Sequence, residues 1–125
     1  MDIIAVIEGA SQGRDFHLLL GDFLDEFYRS DAFKQQEMIN KAPARHEKRV
    51  PCEYLAYLAA TAHKLANDHQ LDVPKWVFDS KYYLHDRPYF AGNVEGNLRL
   101  LFMYFSPPEF KHRNLFVDAN ALTRV

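Results

Sequence analysis

The clearest periodicity in the chain runs from Asp15 to Arg29. There Phe16, Leu19, Leu20, Phe23, Leu24 and Phe27 recur at the i, i+3, i+4, i+7 spacing of a helix with one buried stripe. The other face of that helix carries Asp15, Asp22, Asp25, Glu26 and Arg29 and is expected to meet water or a partner. Ser30 or Asp31 can cap a shorter helix to about Asn40, with Phe33, Met38 and Ile39 predicted to face inward. Pro43 then interrupts the pattern, and Lys41, Arg45, His46, Lys48 and Arg49 gather around the lone acid Glu47, which predicts an exposed basic loop over 41–49. Pro51 suits the first turn of a long helix to about His69. Its stripe of Leu55, Leu58, Ala59, Ala62, Leu65 and Ala66 is small enough to let another helix approach closely.

Between Leu71 and Asn93 no period is sustained, and prolines and aromatics alternate with polar breaks, so short helical turns and packed loops are expected. The run from Leu98 to Phe105 is apolar except for Arg99, which predicts an element buried on several sides, a central helix or else a buried strand. Ser106-Pro107-Pro108-Glu109 has the form of a capping box, with Ser106 at the N-cap and Glu109 reaching back to its amide. Phe105 and Phe110 would complete a hydrophobic staple. Leu115-Phe116-Val117 reads as a short extended segment, and Asp118 can cap a last turn through Leu122. The apolar N-terminus, Met1 to Ile7, carries Asp2 and lacks the basic flank of a secretory signal, so it is assigned to the fold.

These elements predict an all-α fold, one helical domain over residues 1–125, and a hydrophobic content of 48% supports a core of that size. A net charge of −2 supplies no global field that would draw the chain to nucleic acid or an anionic membrane. No apolar stretch reaches the roughly 20 residues needed to cross a bilayer, and no membrane partner is expected. The single cysteine, Cys52, excludes an internal disulfide and a multi-cysteine zinc site, which suits a cytoplasmic setting.

The groups with chemical potential each have a structural explanation as well. Asp22, Asp25 and Glu26 share one helical face and have the oxygen donors of a cation site, but solvated acids are usual there; docking of a basic protein partner is the better functional use. Glu109 and His112 form one E-x-x-H pair, whereas di-iron bundles need two, so no metal is expected. Cys52 lies near a helix start that can lower a thiol pKa, yet no base is evident beside it. The basic residues Lys41, Arg45, Lys48 and Arg49, and a second cluster at Lys111, His112 and Arg113, can contact phosphates but have no interleaved aromatics for base stacking. The aromatics from Trp76 to Phe90 can line a pocket, with core packing as the default. No phosphate loop, dinucleotide fingerprint, zinc-protease motif or nucleophile elbow occurs, so neither cofactor nor catalytic residue is assigned.

The second half carries a further pattern: Trp76, Leu84, Pro88 and Phe90, then Leu98-Arg99, then Ser106-Pro107, Phe110, Arg113-Asn114, Phe116-Val117, Leu122 and Arg124. Over residues 74 to 125 it resembles small uncharacterised bacterial helical proteins. The resemblance implies a non-catalytic, antitoxin-like partner of nucleotidyltransferase-type toxins. The expected function is therefore protein binding, with Asp22, Asp25 and Glu26 as the contact. The alternatives are a small nucleic-acid-binding protein using 41–49 and, third, an enzyme built on Cys52 or a histidine.

Overall fold

Three aspartates start the first three helices in a computed structural model that describes residues 1–43 and 48–124. Asp2 accepts the amide of Ala5 at 2.9 Å, Asp15 that of Leu18 at 3.0 Å and Asp31 that of Lys34 at 2.9 Å. Each carboxylate satisfies an amide that has no partner within its helix. The helices are α1 (Ile3–Ser11), α2 (Phe16–Arg29) and α3 (Ala32–Ile39). The predicted stripe of α2 is buried throughout, as are Met38 and Ile39 of α3. Phe33 departs from expectation: at the second position of α3 it is 76% exposed, on the side away from Met38 and Ile39. Helices α1 and α2 pack closely because Gly9 has no side chain; a Cβ there would come within 2.8 Å of Leu19 Cδ1.

The long helix α4 (Cys52–Asp68) is the interior element. Pro51 stands at its N-cap, and every residue from Leu55 to Ala62 is buried, together with Leu65 and Ala66. Its alanines permit contact on more than one side: α1 lies against it, and so do the α6 helix (Pro108–Lys111) and the 3₁₀ turns Lys75–Phe78 and Ser80–Tyr82. Trp76, in the first of these turns, donates its indole N–H to the Ile39 carbonyl at 2.9 Å, using one of the acceptors left free at the end of α3. The fold is therefore mostly helical, with one sheet of two short parallel strands among the described residues. Strand β1 (Tyr89–Phe90) pairs with β2 (Leu115–Phe116) in the register Tyr89 to Leu115 and Phe90 to Phe116. This is the expected extended segment near the C-terminus.

Two expectations for the second half are corrected. The run Leu98 to Phe105 lies within a helix, α5 (Asn97–Phe105), but that helix is not central: none of its residues is buried. The Ser106 capping box is also absent, since Pro107 is the N-cap of α6 and no side chain caps it. Ser106 instead ends α5, its hydroxyl meeting the carbonyl of Phe102 and, at 2.8 Å, both the carbonyl and the amide of Val117. Glu109 accepts from the Asn67 amide on α4 at 2.9 Å, and Phe105 is exposed while Phe110 is buried, so no staple forms.

Arg113, placed by sequence in a basic surface cluster, is 1% exposed. Its guanidinium donates to the carbonyls of Val77 and Glu109 at 2.8 Å, lies 3.2 Å from His63 Nδ1 and sits 4.7 Å over the Tyr83 ring. It thus joins a 3₁₀ turn, α6 and α4 at one point.

The different roles of Ser106 and Glu109 separate in denaturation. Ser106→Ala leaves the buried Val117 amide unpaired and is expected to cost about 1–3 kcal/mol. Glu109→Ala removes one exposed bond and is expected to cost about 0.5 kcal/mol or less. Urea midpoints of the two variants check this, and equal losses would restore the reciprocal capping box.

Candidate functional site

Helix α5 begins after Gly96, whose φ of +58° is a left-handed value that favours glycine. It ends where Ser106 ties the chain to Val117. Between these anchors every residue except Asn97 and Arg99 is apolar, which satisfies helix propensity and leaves no polar face for water. Leu98, Leu100, Leu101, Met103, Tyr104 and Phe105 are all exposed, Leu100 by 63% and Tyr104 by 75%. The helix rests chiefly on β2. Its one charged side chain, Arg99, is exposed, with the guanidinium 4.7 Å over the Phe90 ring and Nε donating to the Val94 carbonyl at 3.0 Å. Phe90 in turn stacks on Phe116 across the strand pair, with ring centroids 5.1 Å apart. At the other end Lys111 donates to the Tyr104 carbonyl and lies 5.8 Å over its ring. A recess of about 320 Å³ opens beside the helix between Leu98, Leu101, Phe102, Phe105 and residues 117–120. Six large apolar side chains on one short helix form a contiguous patch of the kind that marks an interaction surface.

The acids of α2 lie elsewhere, and the chain's own groups engage two of them. Asp25 accepts from Arg124 Nε at 2.9 Å and from Nη2 at 3.2 Å. That hydrogen bond, helped by the arginine's charge, holds its carboxyl below the usual carboxylate range. The arginine reaches it across Gly21, where a Cβ would come within 3.1 Å of Nη2, while Tyr28 fixes the same segment by donating to the Leu122 carbonyl. Glu26 accepts from the amino group of Met1 at 2.6 Å, with Lys34 at 3.8 Å, and its pKa is lowered chiefly by that first bond. Asp22 is exposed. The structure thus brings the C-terminal segment onto the acidic face, a contact between residues 99 apart in sequence.

Of the basic segment, Lys41, Lys48 and Arg49 are exposed, while Arg45 and His46 lie outside the described residues. The second basic cluster separates: His112 is exposed, Lys111 lies against Tyr104 and Arg113 is interior. Among the described residues no group of three or more His, Cys, Asp or Glu side chains comes together in a way that would hold a metal ion. No helix is long and apolar enough to cross a membrane, again among the described residues.

Cys52 and His85 line one recess of about 310 Å³, a proximity that sequence did not show. The thiol's pKa is raised there and not lowered. Cys52 is exposed, yet desolvation raises its pKa, Glu53 beside it raises it further, and Sγ lies 3.6 Å from the Glu53 carboxylate. A cation, Arg87, and an imidazole, His85, line the same recess. His85 is itself engaged, with Nε2 2.9 Å from the Ser80 carbonyl. His63 serves Arg113 as an acceptor, which requires a neutral ring protonated on Nε2. Comparison with protein-family models, curated proteins and solved structures finds no match.

Burial and, after it, the charge of Arg113 hold the His63 pKa below its ordinary value of 6.5. A depressed histidine resists in the folded state a proton that the unfolded chain accepts. Its contribution is therefore complete above about pH 6.5 and is lost as pH falls through the folded value. The urea midpoint is expected to drop between pH 7 and pH 5, and to drop less in His63→Gln, which keeps an acceptor but does not titrate. Equal drops in the two proteins would show that His63 gains its proton without penalty.

Proposed function

We propose that this chain is a non-catalytic protein-binding domain that works through α5. One observation carries the reading: α5 exposes six large apolar side chains and buries none of its residues. Leaving these side chains in water forgoes about 25 cal/mol for each Å² that a partner would cover. Tyr104, Phe105 and Met103 are also residue types enriched where proteins meet. The likeness of residues 74–125 gives the role its antitoxin-like form, a partner that engages a nucleotidyltransferase-type toxin in a bacterial cytoplasm. Within that form the acidic stretch of α2 is an accessory contact. Asp22 offers a charge for steering a basic partner, while Asp25 and Glu26 are engaged by Arg124 and by Met1. The nucleic-acid reading through Lys41, Arg45, Lys48 and Arg49 gains no support from the placement of the three that are described.

A photo-crosslinking phenylalanine derivative in place of Tyr104 tests the reading in cells that express the chain. Irradiation is expected to give discrete protein adducts, either with the chain itself or with another protein. The same probe in place of the exposed Glu37 should give none. No adduct at position 104, together with nucleic-acid adducts from a probe at Lys48, would replace this function with the nucleic-acid one.

A further inference from the structure

We propose that the occupant of α5 is α5 of a second copy of this chain, lying antiparallel about a two-fold axis near Leu101. The proposal rests on the reading of α5 as a docking surface and names what docks. Charge is the first argument. In a two-fold contact each side chain near the axis meets itself or a close neighbour, so a charge there would repel its own copy. The side of α5 centred on Leu101 carries none: Arg99, the only charged residue of the helix, is exposed but lies two positions from Leu101 and so on the other side, with its guanidinium over Phe90 and its Nε on the Val94 carbonyl.

The two ends of the helix carry opposite charges. Glu95 is exposed just before α5, and the Lys111 ammonium is held at the Tyr104 carbonyl near its far end. Antiparallel pairing sets Glu95 of each copy beside Lys111 of the other, two complementary pairs at the rim of an uncharged centre. Parallel pairing would set like beside like. Pairing about Leu101 also places Tyr104, the most exposed side chain of α5, opposite Leu98 of the second copy. Leu98 lines the mouth of the recess of about 320 Å³, which is large enough to receive a phenol ring.

The four exposed side chains on the Leu101 side of the helix, Leu98, Leu101, Tyr104 and Phe105, present on the order of 450 Å², against about 800 Å² for each partner of a standard-size interface. The rim of the recess along residues 117–120 adjoins the helix and adds to the contact. A nine-residue helix is about 13 Å long, so an antiparallel pair about Leu101 covers the side that carries Leu98, Leu101, Tyr104 and Phe105 along its length.

Sedimentation of the purified full chain over about 1 to 100 µM tests the proposal. The wild type is expected to sediment as a reversible dimer. Leu101→Asp, which sets two like charges at the axis, should be monomeric with unchanged helical circular dichroism. Glu95→Lys should raise the dimer dissociation constant by about tenfold, and Lys111→Glu added to it should restore the wild-type value. A wild-type monomer throughout the range, or a dimer indifferent to Leu101→Asp, would overturn the proposal. Loss of the dimer in Leu101→Asp without rescue by the charge swap would overturn the antiparallel arrangement. A monomer whose position 104 still captures a different protein would end this proposal and leave α5 as a docking surface. A monomer that captures nothing there would end both.

Discussion

A guanidinium withdrawn almost wholly from water organises the second half of this molecule. Transferring a charge from water to a protein interior costs several kcal/mol unless polar groups replace its hydration. At Arg113 the replacements are two carbonyl oxygens, an imidazole nitrogen and the face of Tyr83. They come from the turn Lys75–Phe78, from α6 and from α4, so a shift of any of the three removes a partner from a charge whose Nε already has no hydrogen-bond partner. The backbone beside it is tied as well. The Arg113 carbonyl accepts from Leu84, and Asn114, at a left-handed φ of +64°, offers its carbonyl to Tyr89. The short parallel strands grow from that point, with Phe90 stacked on Phe116.

Closing the fold in this way accounts for the position of α5. The segments before and after it are both fixed, one by β1 and the other by Ser106 against Val117 and by α6 against α4. The core formed by α1 to α4, the 3₁₀ turns and α6 is already filled by residues such as Phe23, Phe27, Leu58, Tyr82 and Phe110. Helix α5 spans the two anchors over the outside of the small sheet. Its polar contacts run from its ends and from Arg99 back to the body, which leaves the apolar side chains outward.

Much of the helical half was legible in the sequence. The stripes of α2 and α4 have a period that only a one-sided or interior helix explains, and Asp31, one of two caps the sequence offers, starts α3. The candidate site was not legible, for a physical reason. A continuous apolar run looks the same whether its own chain or another covers it, so the stretch from Leu98 to Phe105 was assigned to the interior. Lys111-His112-Arg113 reads as surface charge because, beyond the nearby Glu109 carbonyl, the groups that compensate Arg113 are His63, the Val77 carbonyl and the Tyr83 ring, which cannot be seen locally. The acids of α2 gave a correct face but an incomplete environment, since Arg124 reaches Asp25 from the far end of the chain. Ser106 was the right residue with the wrong partner. Its hydroxyl is taken by Val117, eleven residues on, and not by the turn it precedes.

The central claim is that the body of the fold closes without α5, which stays outside it as a contact surface. Amide hydrogen exchange resolved along the chain, on protein diluted until it is monomeric, addresses this most directly. Helix α4 should exchange slowest, at the rate of global unfolding, while amides of Leu100 to Phe105 exchange faster by orders of magnitude through local opening. Exchange of α5 as slow as that of Leu58 to Ala66 in the monomer would contradict the account, because it would place the helix within the cooperative core.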